Sequence, residues 1–200
     1  MTLVGTTLRD ARNGVRARRS RVAVSSGTIG DVSDEGLVAT DGSELSLFRT
    51  AVRSDGLLVG HHSTLVATHC TLEGGIHVEA YSRISLAGAS GPTATLRGDI
   101  VASNSEVFLF RLPVEGTVLV RDSGMLTVLE AELEEVRLAS GSHAHIASAR
   151  VAGEILAEGF STVQLSSTSI TALACQSGAD AVCTASEPRT VSGCRRCGPP

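Results

Sequence analysis

A small residue, an apolar residue two places on and another two places beyond that recur along the chain every 18 to 23 residues. Nine copies align on Ser20, Ser43, Ser63, Ser82, Ser105, Gly124, Ser142, Ser161 and Ala179. The first apolar column then reads Val22, Leu45, Leu65, Ile84, Val107, Leu126, Ala144, Val163 and Ala181. The second reads Val24, Leu47, Ala67, Leu86, Leu109, Val128, Ile146, Leu165 and Cys183. Alternation of this kind is the period-two signature of a strand with one face buried.

Counting from seven residues before each small one, a further apolar column holds Ala39, Val59, Val78, Val101, Val120, Leu138, Ala157 and Cys175 at position three. Another holds Ile29, Val52, Leu72, Leu96, Val114, Leu133, Val151 and Ile170 at position sixteen. Weaker columns at positions one and fourteen complete three inward pairs per repeat, and hence three short strands. The intervals between pairs are unequal, whereas a left-handed hexapeptide coil would show one apolar residue at every sixth position. The pattern predicts an all-β, three-faced, right-handed parallel β-helix of about nine rungs. Stacked at the strand spacing, such a rod is roughly 40 Å long.

The helix is expected over residues 1–183, with rungs from about residue 13, and a Cys-containing cap or tail over 184–200. The recurrent Ser suits a corner, where a small hydroxyl can bridge neighbouring backbone groups. Two places break the repeat. Gly30 to Glu35 lengthens one corner, and Ala87 to Thr93 inserts a loop, the kind of segment that carries binding on a regular scaffold.

Composition narrows the core. Hydrophobic residues make up 42% of the 200, but aromatics only 2%, with no Trp, so Val, Leu, Ile and Ala must fill it. The net charge of −4 combines 21 acidic residues with 17 basic ones, every one of them Arg, and gives no reason to expect a nucleic-acid partner. No apolar run reaches the roughly 18 residues of a membrane span, and membrane insertion is not expected. The N-terminal arginines, Arg9, Arg12, Arg16, Arg18, Arg19 and Arg21, interleave with Val15, Ala17, Val22 and Val24 as the outer side of a strand would. A polyanion site is the alternative. No apolar stretch of signal-peptide length follows them.

On its periodicity and turn chemistry, from about Asn13 to Cys183, the chain resembles the right-handed parallel β-helix repeats of the pectate-lyase-like superfamily. That group includes polysaccharide lyases, glycoside hydrolases, phage tailspikes and surface adhesins, so the fold does not choose a function. Its enzymes rely on clustered carboxylates. Here Asp41, Asp55, Asp99 and Asp122 fall on different rungs, and the two that share a column, Asp41 and Asp122, sit four rungs apart, so no catalytic residue of the family carries over. The resemblance therefore implies a non-enzymatic member.

Glu130 and Glu132 are the nearest thing to an acid and base pair or a calcium site. Both are expected to point outward from one strand, with Arg111 one rung below Glu130 and Arg150 one rung above Glu132, so cross-strand ion pairing accounts for them. His143 and His145 share the outer face of one strand, about 7 Å apart, and lack a third metal ligand. His61, His62, His69 and His77 fall on different faces.

Cys70 reads as a core residue. Cys175, Cys183, Cys194 and Cys197 are expected to close the solenoid, either as two disulfides in an oxidising compartment or as a four-thiolate zinc cap. No other cofactor is expected.

The expected function is a noncatalytic structural or adhesive solenoid, outside the cell or in its envelope, binding a polysaccharide or another cell-surface component. Its binding residues would include Ser90, Thr93, Arg111 and Arg150. The alternatives are a lyase or hydrolase acting on an acidic glycan, with Glu130 and Glu132 at its centre, and a scaffold that polymerises end to end.

Overall fold

A computed structural model describes residues 1–9, 14–88, 94–186, 188–194 and 197, with the side chains of 31, 33 and 34 outside the description. The protein is a parallel β-solenoid of about nine turns, and the described residues contain no helix. Inward-facing aliphatic side chains form one continuous core from Val15 to Ala181.

Two sheets make the wall. The narrow sheet stacks ten strands, from Thr2–Val4 through Arg21–Ser25, Glu44–Phe48, Thr64–Thr68, Arg83–Ala87, Glu106–Phe110, Met125–Leu129, His143–Ala147 and Thr162–Ser166 to Asp180–Thr184. The alignment on the small-residue column holds here: Leu45 pairs with Leu65, Leu65 with Ile84 and Ile84 with Val107.

The other two expected strands of each turn merge into the second, wider sheet. Ala51–Val59, Pro113–Arg121 and Arg150–Ala157 each run through both, with a register shift at the bend. Two turns keep them apart among the described residues: Thr7–Leu8 from Val15–Arg18, and Thr95–Arg97 from Ile100–Ser103, the latter pair separated by Gly98 and Asp99. The extra residues from Gly30 to Glu35 do not leave the sheet as a loop. They are absorbed in the 13-residue strand Thr28–Thr40 through three successive register shifts.

The coil also extends further at both ends than the repeat alignment indicates. Thr2–Val4 pairs with the strand at Arg21–Ser25, and Thr7–Leu8 with Thr28–Thr40, which adds a partial turn before residue 13. At the far end Thr190–Ser192 pairs with Ser169–Cys175. Thr190–Ser192 is therefore part of the wall.

One inward assignment is corrected. Val101 is not in the core column: Ile100 and Ala102 are fully buried, and Ala102 pairs with Val78 and Val120. The cause is the length of the first corner, which joins the wide sheet to the narrow one. Most turns step four residues from the last inward residue to the corner serine, as from Val59 to Ser63, and hold two consecutive residues at positive φ, such as His61 and His62. From Ala102 to Ser105, and from Ala17 to Ser20, the step is three, with only Asn104 or Arg19 at positive φ. A one-residue change in spacing moves a strand's whole side-chain set to the opposite face.

Candidate functional site

The first corner is built by a ladder of buried hydroxyls. Ser43, Ser63, Ser82 and Ser105 each accept a hydrogen bond from the backbone N–H of the equivalent residue one turn earlier, at 3.4, 3.1, 3.2 and 3.2 Å. The hydroxyl protons of Ser43, Ser105 and Ser161 go to nearby carbonyls, of Thr40 at 2.5 Å, Ser103 at 2.9 Å and Glu158 at 2.6 Å. Ser142 bonds the carbonyls of Val120 and Ala139. The ladder lapses at Gly124, where an added Cβ would lie 2.7 Å from a methyl of Val120. Ser105→Ala should leave the buried Ser82 N–H unsatisfied and cost about 1–3 kcal/mol, read as a lower denaturant midpoint at unchanged slope.

On this ladder stand the residues at positive φ that turn outward. Their N–H groups bond the carbonyls of the next corner, His62 to Ala80 at 2.9 Å and Tyr81 to Asn104 at 3.0 Å. These bonds offset the steric cost of a left-handed conformation in a non-glycine residue, ordinarily about 1–2 kcal/mol. The consequence is a vertical row of outward-turned residues, His62, Tyr81, Asn104 and Ser123, one per turn, of which Asn104 is half-buried and the others exposed.

The His62 and Tyr81 rings are stacked, with centroids 5.5 Å apart and planes 8° from parallel. Tyr81 is 67% exposed. Beside the row runs a groove of about 400 Å³, floored by the corner serines and walled on the sheet side by Thr64, Arg83, Glu106, Met125 and His143. His143 Nδ1 lies 2.5 Å from the Thr162 hydroxyl, a contact that sets the orientation of its ring.

Sequence reasoning passed over this row because it looked for a face of a strand. A signal was nonetheless present: the position just before the Ser column reads Gly42, His62, Tyr81, Asn104, Ser123, Gly141, Phe160 and Gly178. Gly and Asn are ordinary left-handed corner residues, whereas bulky side chains there are uncommon.

Arg111 and Glu130 meet as expected one turn apart, at 2.6 Å. Neither belongs to a strand. Both occupy the second corner, which leaves the narrow sheet, at φ of 49° and 51°. The expected pairing of Glu130 and Glu132 along one strand is thus corrected: Glu132 opens the strand Glu132–Leu138, and Glu130 is the bend before it. Arg150 is registered beside Glu132 on the next turn. These two join Glu115 and Glu134 around a shallow depression of about 310 Å³ on the wide sheet. Ser90 and Thr93 lie outside the described residues.

Many of the remaining charges are spent on one another. Arg53, Glu73, Arg97 and Glu115 alternate in sign up the wide sheet, with contacts of 3.0, 3.9 and 3.1 Å. Arg16, Arg18 and Arg21 of the N-terminal run hold Glu35, Asp41 and Glu44 one turn up. The Arg18 hydrogen bond keeps the Asp41 carboxyl below the usual range. Pairs this exposed contribute about 0–1 kcal/mol each. Their effect is to match turn to turn without placing like charges side by side.

His143 and His145 face outward on one strand, flanked by Met125 and Thr127 on one side and by Thr162 and Gln164 on the other. His69 sits edge-on to Phe48 at 5.7 Å. Among the described residues, no three His, Cys, Asp or Glu side chains are grouped as a metal site.

The terminal cysteines form two disulfides, Cys175–Cys194 and Cys183–Cys197. Their sulfurs are therefore not available as thiolate ligands for zinc. Cys197 is 2% exposed and seals the end of the core. Cys70 is a buried free thiol whose burial pushes its pKa up, as suits an inert core residue.

Comparison of the chain with family models, curated proteins and solved structures found no match.

Proposed function

We propose that the protein is a noncatalytic adhesive or structural solenoid of an oxidising extracellular or cell-envelope setting, and that it takes a polysaccharide chain along the groove of the first corner. The observation that carries this reading is the exposed His62 and Tyr81 stack set in a row of hydrogen-bonding side chains that repeats once per turn. A pyranose ring presents an apolar face and a belt of hydroxyls. The flat of Tyr81 suits the first, and Asn104, Ser123 and Thr64 suit the second. One group per turn, at about 4.8 Å spacing, offers a repeated contact to a repeated ligand.

The noncatalytic part rests on the carboxylates. Glu106, the one that lines this groove, is held by Arg83 at 2.5 Å. Glu130, Glu44 and Glu73 are likewise held by arginines. The two disulfides favour the extracellular setting.

Retention on a panel of immobilised polysaccharides, followed by calorimetry on the best of them, tests the reading. Tyr81→Ala should weaken the binding at least tenfold, equivalent to about 1.4 kcal/mol, while the melting temperature stays within a few degrees. Failure to retain any polysaccharide would remove the proposal. Release of reducing ends or unsaturated products, abolished by Glu132→Ala, would put an enzyme in its place, centred on the depression that Glu132 shares with Arg150.

A further inference from the structure

The outer face of the narrow sheet is unlike the rest of the surface. Its middle column, from Ser46 to Gln164, reads Ser, Val, Ser, Phe, Thr, His, Gln, and the column beside it, from Phe48 to Ser166, reads Phe, Thr, Ala, Phe, Leu, Ala, Ser. Neither column contains an Asp, Glu, Lys or Arg over seven turns. The wide sheet carries an alternating charge ladder at the same heights.

Charge returns only at the margins of the narrow face. Arg21–Glu44 and Arg83–Glu106 line one edge, and Arg111–Glu130 lies at the corner on the other. An uncharged centre holding Phe108 and Phe110 within a rim that carries the charged groups is the anatomy of a protein interface.

We infer that this face is where two copies of the chain pack together, sheet against sheet. Three considerations select a second copy as the occupant. Ten strands at about 4.8 Å, each about 16 Å long, give a flat footprint of about 700 Å² per copy, so that two copies bury about 1,400 Å², within the range of a specific interface. An isologous contact brings the same patch against itself, so any unpaired charge near its centre would meet its own sign. This face has none, and Arg21, Arg83 and Arg111 at its rim are paired with Glu44, Glu106 and Glu130 within each copy. Finally, Phe48 at 41% and Met125 at 46% exposure are large apolar side chains left in water on a surface otherwise rich in ion pairs.

Packing through the centre of this sheet is side by side, unlike growth from the ends of the coil. It leaves the row at the first corner along the open edge of the contact, and the inference does not rest on the polysaccharide reading.

Sedimentation equilibrium of the full chain over a hundredfold concentration range tests it. The mass should approach twice that of the monomer. Phe108→Arg, whose cross-strand neighbours are the uncharged Ser85 and Thr127, should return it to the monomer. Thr127→Arg, on the next turn, provides a second probe should Phe108→Arg fail to fold. His77→Arg, on the outer side of the wide sheet, should leave the dimer intact. A monomer throughout the range, a dimer that survives both arginine variants, or a larger species that grows with concentration and ignores them would each overturn the inference. The last of these would indicate end-to-end stacking.

Discussion

Gly98→Ala is expected to be among the most damaging single-methyl additions to this protein. Gly98 has a φ of 135°, which side-chain-bearing residues scarcely reach. A Cβ there would lie 2.5 Å from the carbonyl oxygen of Gly74, one turn below. Gly74 and Gly116 occupy the same place in their own turns, at φ of 124° and 147°, and would press on the carbonyls of Ser54 and Gly98. The obstacle in each case is backbone already held in a parallel ladder, so no rotamer change relieves it.

Strain and overlap together should cost at least about 3 kcal/mol, measured by chemical denaturation. Gly42→Ala supplies the comparison. Gly42 also has a positive φ, 75°, but an added Cβ there would meet no atom within 4 Å, so the loss should stay near 1–2 kcal/mol. Equal losses at the two sites would show that close stacking of the third corner, between the two halves of the wide sheet, is not what holds these glycines in place.

Removing both disulfides should have an effect of similar size but a different distribution. The loops they close span 19 and 14 residues, and each cross-link contributes about 3 kcal/mol in the chain-entropy account. They also tie the last strands to a segment that has only three residues, Thr190–Ser192, in the sheet.

In a solenoid each turn contacts only its neighbours, so damage at one end need not spread. Hydrogen exchange of Cys194→Ser/Cys197→Ser should therefore rise first over residues 169–192, while the turns between Thr64 and Arg121 keep their protection. A uniform rise along the chain would show that the coil unfolds as a single unit. Full protection at the C-terminal end would show that the cross-links are dispensable.

The parts of the fold that were legible in the sequence are those set by alternation. Leu45, Leu65, Ile84 and Val107 could be stacked on paper because each of their turns has five residues in the same phase, preceded by a serine. Leu96 could be placed beyond an insertion for the same reason. Val101 went to the wrong face because the corner before Ser105 is one residue shorter than its neighbours, and hydropathy carries no record of which residues adopt positive φ. Glu130 was read as a strand residue for a related reason: a charged side chain in a corner looks the same as one on an outer face.

The candidate site was less legible than the fold. The arginine and glutamate partners could be named from repeat arithmetic, since Arg111 and Glu130 are one repeat apart. His62 and Tyr81 are also one repeat apart. Their contact, however, depends on two successive left-handed residues that swing both rings out onto the same line.

By itself, then, the sequence determined that the chain coils, about how many times, and which aliphatic residues fill the core, because burial of alternate side chains is a local pattern repeated with a nearly constant period. The tertiary structure alone decided how the cysteines pair, where the corners shorten, and which outward residues become neighbours across turns. Those outcomes depend on backbone conformation at a few corner residues, and on distances between groups some 18 to 23 positions apart, which a period fixes in number but not in direction.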